Sequence, residues 1–489
     1  MSRTDRLVLL GAGTGFLLLA VLYFPPMYLA SDEAGNLAFA QVLAEGTPFA
    51  DRAGLQIPAP VPARGDHLTS RYPPGLALLL APFCLLSLRA AFLLPLVAHL
   101  ATFAVLAWLM RRTGISPLWS LLHLFYPTAL LHSRTLMSNA PAAALLLASF
   151  ALLVSARRGG VLLAGLLIGL GTLVRQPVII GGLLLGLGML WRHRRELLEA
   201  RGASVLKLPP VLFAAGTALG LAVYFAYHSY VFGSPLVTGY EKVRDLERFG
   251  LRNLVWCLPR YVLILMLVYP LMLLAPAGYR GKWRLEVTMV PIAYLLFYGS
   301  YSWFDASDTL ARTLVSAPRF LLPAVPFLLL AYAGVLSSAL RRLPGSERIA
   351  LVTLAVLGLC GAWFLCDRHY RMQREQALAR DAVYAHTEPG SVLVCSVDGA
   401  ELVQERWGHR EILDLAESSR DSLVLRLRAG RPVYLVGRRK SGSAALRRWT
   451  RVVERKLRAG GQFQLDPVSL PSNARLRVLR IGLKAEAGK

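Results

Sequence analysis

The feature that most constrains this chain is a series of apolar stretches, each roughly 17–25 residues long, recurring up to about residue 366 with short arginine-rich breaks between them. A helix of that length crosses the roughly 30 Å hydrocarbon layer of a bilayer, where only helices and closed barrels satisfy their own backbone hydrogen bonds. The stretches are Leu/Ala/Val/Gly runs without period-two alternation, so they read as helices. Hydrophobic residues make up 55% of the 489, above the roughly 45–50% of a soluble domain. The expected fold class is an α-helical polytopic membrane protein.

Spans are expected at about 7–24, 90–110, 117–132, 140–156, 161–174, 177–191, 209–229, 259–277, 285–302, 319–338 and 348–366, about eleven in all. The first resembles a signal peptide but ends in Tyr23-Phe24-Pro25-Pro26, without a small-residue cleavage site, and reads as a retained span. With the N-terminus in the cytoplasm, Arg111-Arg112, Arg157-Arg158, Arg192 to Arg195, Arg280 to Arg284 and Arg341-Arg342 all fall inside, as the positive-inside rule requires. The net charge of +25 therefore reads as membrane orientation, and no nucleic-acid partner is expected. The short apolar segment 74–88 would break this alternation as a span, so it reads as a re-entrant or interfacial helix on the outer face. This places a plasma-membrane (inner-membrane) protein's long mixed loops, about 25–89 and 230–258, outside.

Residues 1–366 read as the membrane domain. Residues 367–489 differ in composition: Ser391 to Cys395 and Pro432 to Val436 look like short buried strands between charged helical stretches. A small, basic, extracytoplasmic α/β domain is expected. The five cysteines show no metal spacing and read as small buried hydrophobes, with a Cys366–Cys395 disulfide as an alternative.

The outer loops hold the chemistry. Ser31-Asp32-Glu33 follows the first span. A helix start explains it, since Ser caps helices and acids suit the first turn; the amphipathic stretch Ala34 to Glu45, closed by Gly46 and Pro48, fits that reading. Two carboxylates at the membrane surface also suit a general base or a metal ligand. His67 to Gly75 closes the same loop; its Pro-Pro-Gly makes a turn, whereas Arg71 and Tyr72 suit a phosphate and a sugar. The first loop also carries Asp51 and Asp66, and the loop at 230–258 carries Tyr240, Glu241 and Arg248. Arg134 in Ser133 to Asn139, Arg175 before Gln176-Pro177, and Arg319 in Pro318-Arg319-Phe320-Leu321-Leu322-Pro323 each put a cation at an outer hairpin. Snorkelling to lipid phosphate is the plain reading of one such Arg; several together point to an anion site. There is no Walker loop, no GxGxxG after a strand, no HExxH and no GxSxG. Gly165 to Gly171 suits close helix packing.

The Asp-Glu pair, Arg-Tyr-Pro-Pro-Gly, Ser-Arg-Thr-Leu-Met-Ser and Pro-Arg-Phe-Leu-Leu-Pro, in that order over roughly residues 20–335, resemble the GT-C superfamily of membrane glycosyltransferases. The likeness is greatest to bacterial relatives of the protein O-mannosyltransferases and the lipid A aminoarabinose transferase. The resemblance implies an enzyme of the cell envelope. It would move a sugar from a polyprenyl-phosphate donor to a glycan, lipid or protein acceptor, inverting the anomeric carbon. Asp32 would be the base and Glu33 its support. Arg71, Tyr72, Arg134, Arg175 and Arg319 would hold the donor phosphate or sugar, with His67, Asn139 and Tyr240 assisting. Members often carry an acid where this chain has Asn139, which weakens a metal bridge; any divalent metal ion would fall to Asp32. A lipid or solute transporter (flippase) is the alternative. It would favour charged or broken spans near the midplane and matching halves, whereas the polar residues here cluster at one surface. A non-catalytic scaffold would leave Arg71-Tyr72 unexplained.

Overall fold

The computed structural model describes residues 2–49, 60–65, 67–155, 157–200, 202–302, 317–341, 345–395, 411–414, 420–438, 454–455, 457–458, 463–469 and 476–483. Asp51, Asp66 and Arg342 lie outside them.

The main helices are α1 (Arg3–Leu22), α2 (Ser31–Ala44), α3 (Pro74–Leu86), α4 (Leu93–Arg112), α5 (Asn139–Ser155), α6 (Arg158–Val174), α7 (Val178–Arg192), α8 (Pro209–Phe232), α9 (Leu254–Val268), α10 (Arg284–Gly299), α11 (Val325–Leu340) and α12 (Ser346–Ala385). Among the described residues five helical segments are long and apolar enough to cross a membrane, namely Arg3–Leu22, Ala90–Arg112, Pro209–Phe232, Leu251–Val268 and Ser346–Ala385. Shorter apolar helices pack between them. Leu10, Leu18, Leu183, Leu187, Val352 and Phe364 face outward, as side chains against lipid tails do. This is a multi-pass membrane protein.

Three expected spans differ in form. Residues 117–132 are not one helix: Pro117 and Pro127 each start a new short piece, Pro117–Ser120, Leu121–Leu124 and Pro127–His132, because proline has no N–H to give a preceding turn. The span expected at 259–277 begins earlier and ends at Tyr269-Pro270, accommodating Pro259 in its second turn. Ala317–Leu321 form a short 3-10 helix and residues 322–324 a turn, and regular α-helix starts at Val325.

The glycine-rich α6 packs tightly against α8. A Cβ on Gly169 would lie 2.6 Å from Gly220 Cα, so only glycine permits this backbone approach. The main core gathers Trp119, Tyr126, Phe150, Tyr261, Tyr269, Tyr294 and Phe327. A second core joins α2 and α3 to Met27, Leu136 and Ala377. Consequently α2 is buried on every side from Ala34 to Val42, rather than lying amphipathically on a surface.

α12 is 40 residues long. Its first half lies in the bundle, and its second half buries Gln373, Gln376 and Ala377 against the second core. Ahead of α3, β1 (Val61–Pro62) pairs antiparallel with β2 (Leu68–Thr69), and α12 leads into a five-stranded sheet formed by β3 (Val392–Cys395), β4 (Glu411–Asp414), β5 (Val433–Arg438), β6 (Phe463–Val468) and β7 (Leu476–Leu483), in the order β4-β3-β5-β7-β6. The strands expected around 391–395 and 432–436 are its adjacent β3 and β5, paired in parallel with Val392 opposite Val433. A helix at Arg420–Arg428 packs on the sheet through Leu423. None of the five cysteines forms a disulfide, so Cys366 and Cys395 are not joined.

Candidate functional site

α5, α6, α7 and α10 each run between two ends of the bundle. One end carries Arg111, Arg112, Arg157, Arg158, Arg192, Arg194, Arg195 and Arg284. The other carries a cavity of about 510 Å³ lined by Asp32, Arg71, Tyr72, Asn139, Arg175, Tyr240, Arg248 and Arg319, with an aromatic and aliphatic wall.

Local folding places each group. The chain turns from α1 into α2 with Ala30, not Ser31, as the N-cap. Glu33 supplies what a capping side chain would: its Oε2 accepts from the backbone N–H of Leu29 at 2.9 Å and Ala30 at 3.0 Å. Its Oε1 accepts from Leu136 N–H at 2.9 Å, and it is fully buried. Burial, the largest effect, raises the Glu33 carboxyl above the ordinary carboxylate range. The amides of Leu29, Leu136 and Ala30 lower it only in part, and neighbouring Asp32 adds to the rise. Glu33 therefore ties α2 to the turn before α5, and Asp32 alone of the pair lines the cavity.

Gly75 opens α3 directly against the end of α6: a Cβ there would sit 2.5 Å from Leu173 C. This contact sets Arg71-Tyr72 beside Arg175. Tyr72 Oη donates to Asp32 Oδ1 at 2.7 Å. Arg71 Nη2 donates to Tyr72 Oη at 2.6 Å and stands 3.6 Å from Asp32 Oδ1. Arg319 Nη2 reaches Asp32 Oδ2 at 3.3 Å, and its Nη1 meets Met137 Sδ at 3.2 Å. The Arg319 carbonyl accepts from Asn139 Nδ2. Tyr240 meets Tyr72 edge-on, ring centres 6.2 Å apart.

Arg175 is different. It donates to Ser138 Oγ at 3.1 Å, Asn139 Oδ1 at 3.2 Å and Tyr298 Oη at 2.8 Å, all neutral acceptors. Its Nε, like that of Arg71, is buried with no acceptor. Its guanidinium lies 5.6 Å from the ring centres of both Tyr298 and Phe320. A half-buried cation whose hydrogen-bond partners among the described residues are neutral favours an anion beside it.

Two expected residues stand elsewhere. Arg134 donates to the backbone carbonyls of Cys366 and Tyr23, between α1 and α12, and does not line the cavity. Its planar guanidinium bridges two chain segments there. His67 stacks on Phe49, ring centres 4.7 Å apart, and is exposed. Conversely, Tyr298, Tyr301, Phe249, Phe297 and Phe320 form a wall that sequence reasoning did not single out. The backbone bridge between Phe249 and Tyr301 pins the outer loop to the end of α10. Aromatics at helix ends read as an interfacial belt, which conceals such a wall.

The lining suits an anion more than a divalent cation. Four arginines accompany one carboxylate among the described lining residues. Both Asp32 oxygens already have partners in Tyr72 and Arg319, and no group of three or more His, Cys, Asp or Glu gathers among the described residues. A hard divalent ion takes six or more oxygen ligands drawn from carboxylates, carbonyls and waters, with at least one or two carboxylates free to bind it. With Asp32 the single carboxylate among the described lining residues and both its oxygens engaged, this set does not fit such an ion.

No protein-family model matches the chain, and no curated protein matches it in sequence. Its fold, however, is similar along its whole length to solved structures. ArnT from Cupriavidus metallidurans bound to undecaprenyl phosphate superposes with a TM-score of 0.61 at 13% identity, covering 100% of each chain. The apo state of the same protein gives 0.61 at 13% identity, over 97% of this chain and 98% of that one. The Archaeoglobus fulgidus oligosaccharyltransferase tethered to an acceptor peptide gives 0.50 at 11% identity, over 94% of this chain and 74% of that one. The chain thus shares the fold of ArnT, in keeping with the helical membrane architecture expected from the sequence.

Proposed function

With that shared fold as premise, we propose that the chain is a membrane glycosyltransferase that moves a sugar from a polyprenyl-phosphate donor to an extracytoplasmic acceptor. The observation that carries this reading is a single carboxylate, Asp32, set among four arginines in a cavity at one end of an apolar bundle. That arrangement supplies one base and a cradle for one departing phosphate. The bound undecaprenyl phosphate of the similar ArnT structure supports a polyprenyl carrier, and the acceptor peptide of the oligosaccharyltransferase supports a fold that serves an acceptor substrate.

In this reading Arg175 holds the donor phosphate, assisted by Arg71 and Arg319, because guanidinium does not titrate and matches phosphate oxygens with paired N–H groups. Val174, Ile179 and Ile180 of the wall lie against the lipid chain. Tyr298 and Tyr301 offer aromatic faces to the sugar. Asp32 takes the acceptor hydroxyl proton as that oxygen bonds to the anomeric carbon from the face opposite the phosphate. The carbon–oxygen bond to phosphate breaks, polyprenyl phosphate leaves with the electron pair, and the anomeric configuration inverts. The basic end of the bundle is cytoplasmic by the positive-inside rule. The cavity and the C-terminal domain then face outward from the plasma membrane, where lipid-linked donors replace nucleotide sugars.

The test is transfer by purified protein in lipid. Wild type and Asp32→Asn are given polyprenyl-phosphate sugars labelled in the sugar, with a cell-envelope extract as acceptor. Label leaving the lipid with wild type alone supports the reading. Movement of intact donor across the bilayer without release of its sugar replaces it with transport.

A further inference from the structure

Within the glycosyl-transfer reading above, on which this inference rests, Tyr72 has been grouped with the donor-binding residues. Its surroundings assign it elsewhere. The hydroxyl gives its one proton to Asp32 Oδ1 at 2.7 Å and accepts from Arg71 Nη2 at 2.6 Å. The same Arg71 nitrogen is held 3.6 Å from Asp32 Oδ1. Tyr72 thus stands between guanidinium and carboxylate. The ring is seated on α2 itself: a Cβ on Gly35 would meet Tyr72 Cε2 at 2.7 Å. Gly35 lies three residues after Asp32, on the same helix face, so a notch in the helix that carries the base receives the ring that steers it. Burial and the nearby Asp32 charge hold the Tyr72 hydroxyl above the ordinary phenol range, which keeps it a donor.

We infer that Tyr72 is a positioning residue for Asp32, fixing its carboxylate and holding the Arg71–Asp32 ion pair at 3.6 Å, short of direct hydrogen bonding, rather than a ligand of the donor. An Arg–carboxylate pair prefers two parallel hydrogen bonds. Without the intervening hydroxyl, Arg71 settles onto Asp32 and the base loses both its orientation and its readiness to take a proton. Gly35 is required because any larger residue lifts the ring from its seat.

Tyr72→Phe, Gly35→Ala and the double variant are compared with wild type in steady-state transfer, each shown folded by monodisperse elution and its thermal midpoint. Tyr72→Phe lowers kcat about tenfold, on the scale of one lost charge-assisted hydrogen bond at a base, and leaves donor KM within about twofold. Gly35→Ala gives a similar kcat loss, and the double variant is no worse than Tyr72→Phe, since both changes remove one interaction. A donor KM raised about tenfold with kcat kept makes Tyr72 a donor ligand and overturns the inference. Multiplying losses in the double variant overturn it as well. Should Gly35→Ala fail to fold, the kcat against KM split of Tyr72→Phe decides alone. A folded wild type that turns over no polyprenyl-phosphate sugar removes the glycosyl-transfer reading, and the positioning role with it; a wild type that does so leaves that reading standing whatever Tyr72 proves to do.

Discussion

Arg319 meets Asp32 at 3.3 Å across 287 residues of chain, joining the turn before α11 to the first turn of α2. The candidate base is therefore assembled from the two ends of the membrane domain, and both ends must be docked for the site to exist.

Asp32→Asn keeps the shape of the side chain but removes its capacity to take a proton. Transfer is expected to fall about 10²–10⁴-fold in kcat, the range of general-base contributions. Donor affinity should hold or tighten, because the arginines lose a competing anion. Single-turnover assays and donor binding to the same folded protein check both halves.

Arg175→Lys retains a charge but cannot spread its donors over Ser138, Asn139, Tyr298 and a phosphate together. Donor KM is expected to rise roughly 10-fold, and Arg175→Met to cost roughly 100-fold in kcat/KM. The loss should be smaller for binding of the unphosphorylated polyprenol than for binding of polyprenyl phosphate, which titration in nanodiscs measures.

Arg134→Met removes the donor that reaches the Tyr23 carbonyl at the end of α1 and the second donor to the Cys366 carbonyl within α12, and losing the tie between the two helices costs about 1–3 kcal/mol. The thermal midpoint in detergent should fall while donor KM stays within about twofold. A large KM change with an unaltered midpoint would return Arg134 to the donor site.

Glu33 yields a pH dependence of stability. Its carboxyl is raised in the folded state above the ordinary value of 4.5, so folding favours the protonated form. The stability from this group is fully present below pH 4.5 and is lost as pH climbs through the raised folded value. Glu33→Gln has no such titration. The thermal midpoint of wild type relative to Glu33→Gln should therefore fall as pH is raised from 4 toward neutrality, and a difference that grows with pH contradicts the assignment.

Much of the site was legible because chemistry in a membrane chain stands out against an apolar background. Asp32, Arg71, Tyr72, Asn139, Arg175, Tyr240 and Arg319 were marked by residue type and position at the ends of apolar runs, and the fold brings them to one cavity. Arg134 carried the same signal but serves the junction of α1 with α12, because an outer Arg satisfies backbone carbonyls as readily as a ligand. Glu33 looked like a second catalytic acid, whereas its partners are amides at 29, 30 and 136, and the last is a contact no local pattern encodes. The wall of Phe249, Tyr298, Tyr301 and Phe320 was hidden for the same reason: three separate stretches of chain meet there only in the folded bundle. The prolines at 117 and 127 were readable as breaks, but the surrounding hydrophobicity masked them.

The 40 residues of α12 measure roughly 60 Å at 1.5 Å per residue, about twice the hydrocarbon thickness of a bilayer. The terminal sheet is thus carried on a strut, not a tether. Its stand-off is set by helix length and braced at Gln376 and Ala377, so it does not wander as a flexible linker would. Ala379, Val383 and Tyr384 near the end of the helix pack into the sheet's own core, so strut and sheet are continuous and a change in the length or register of the helix moves the sheet with it.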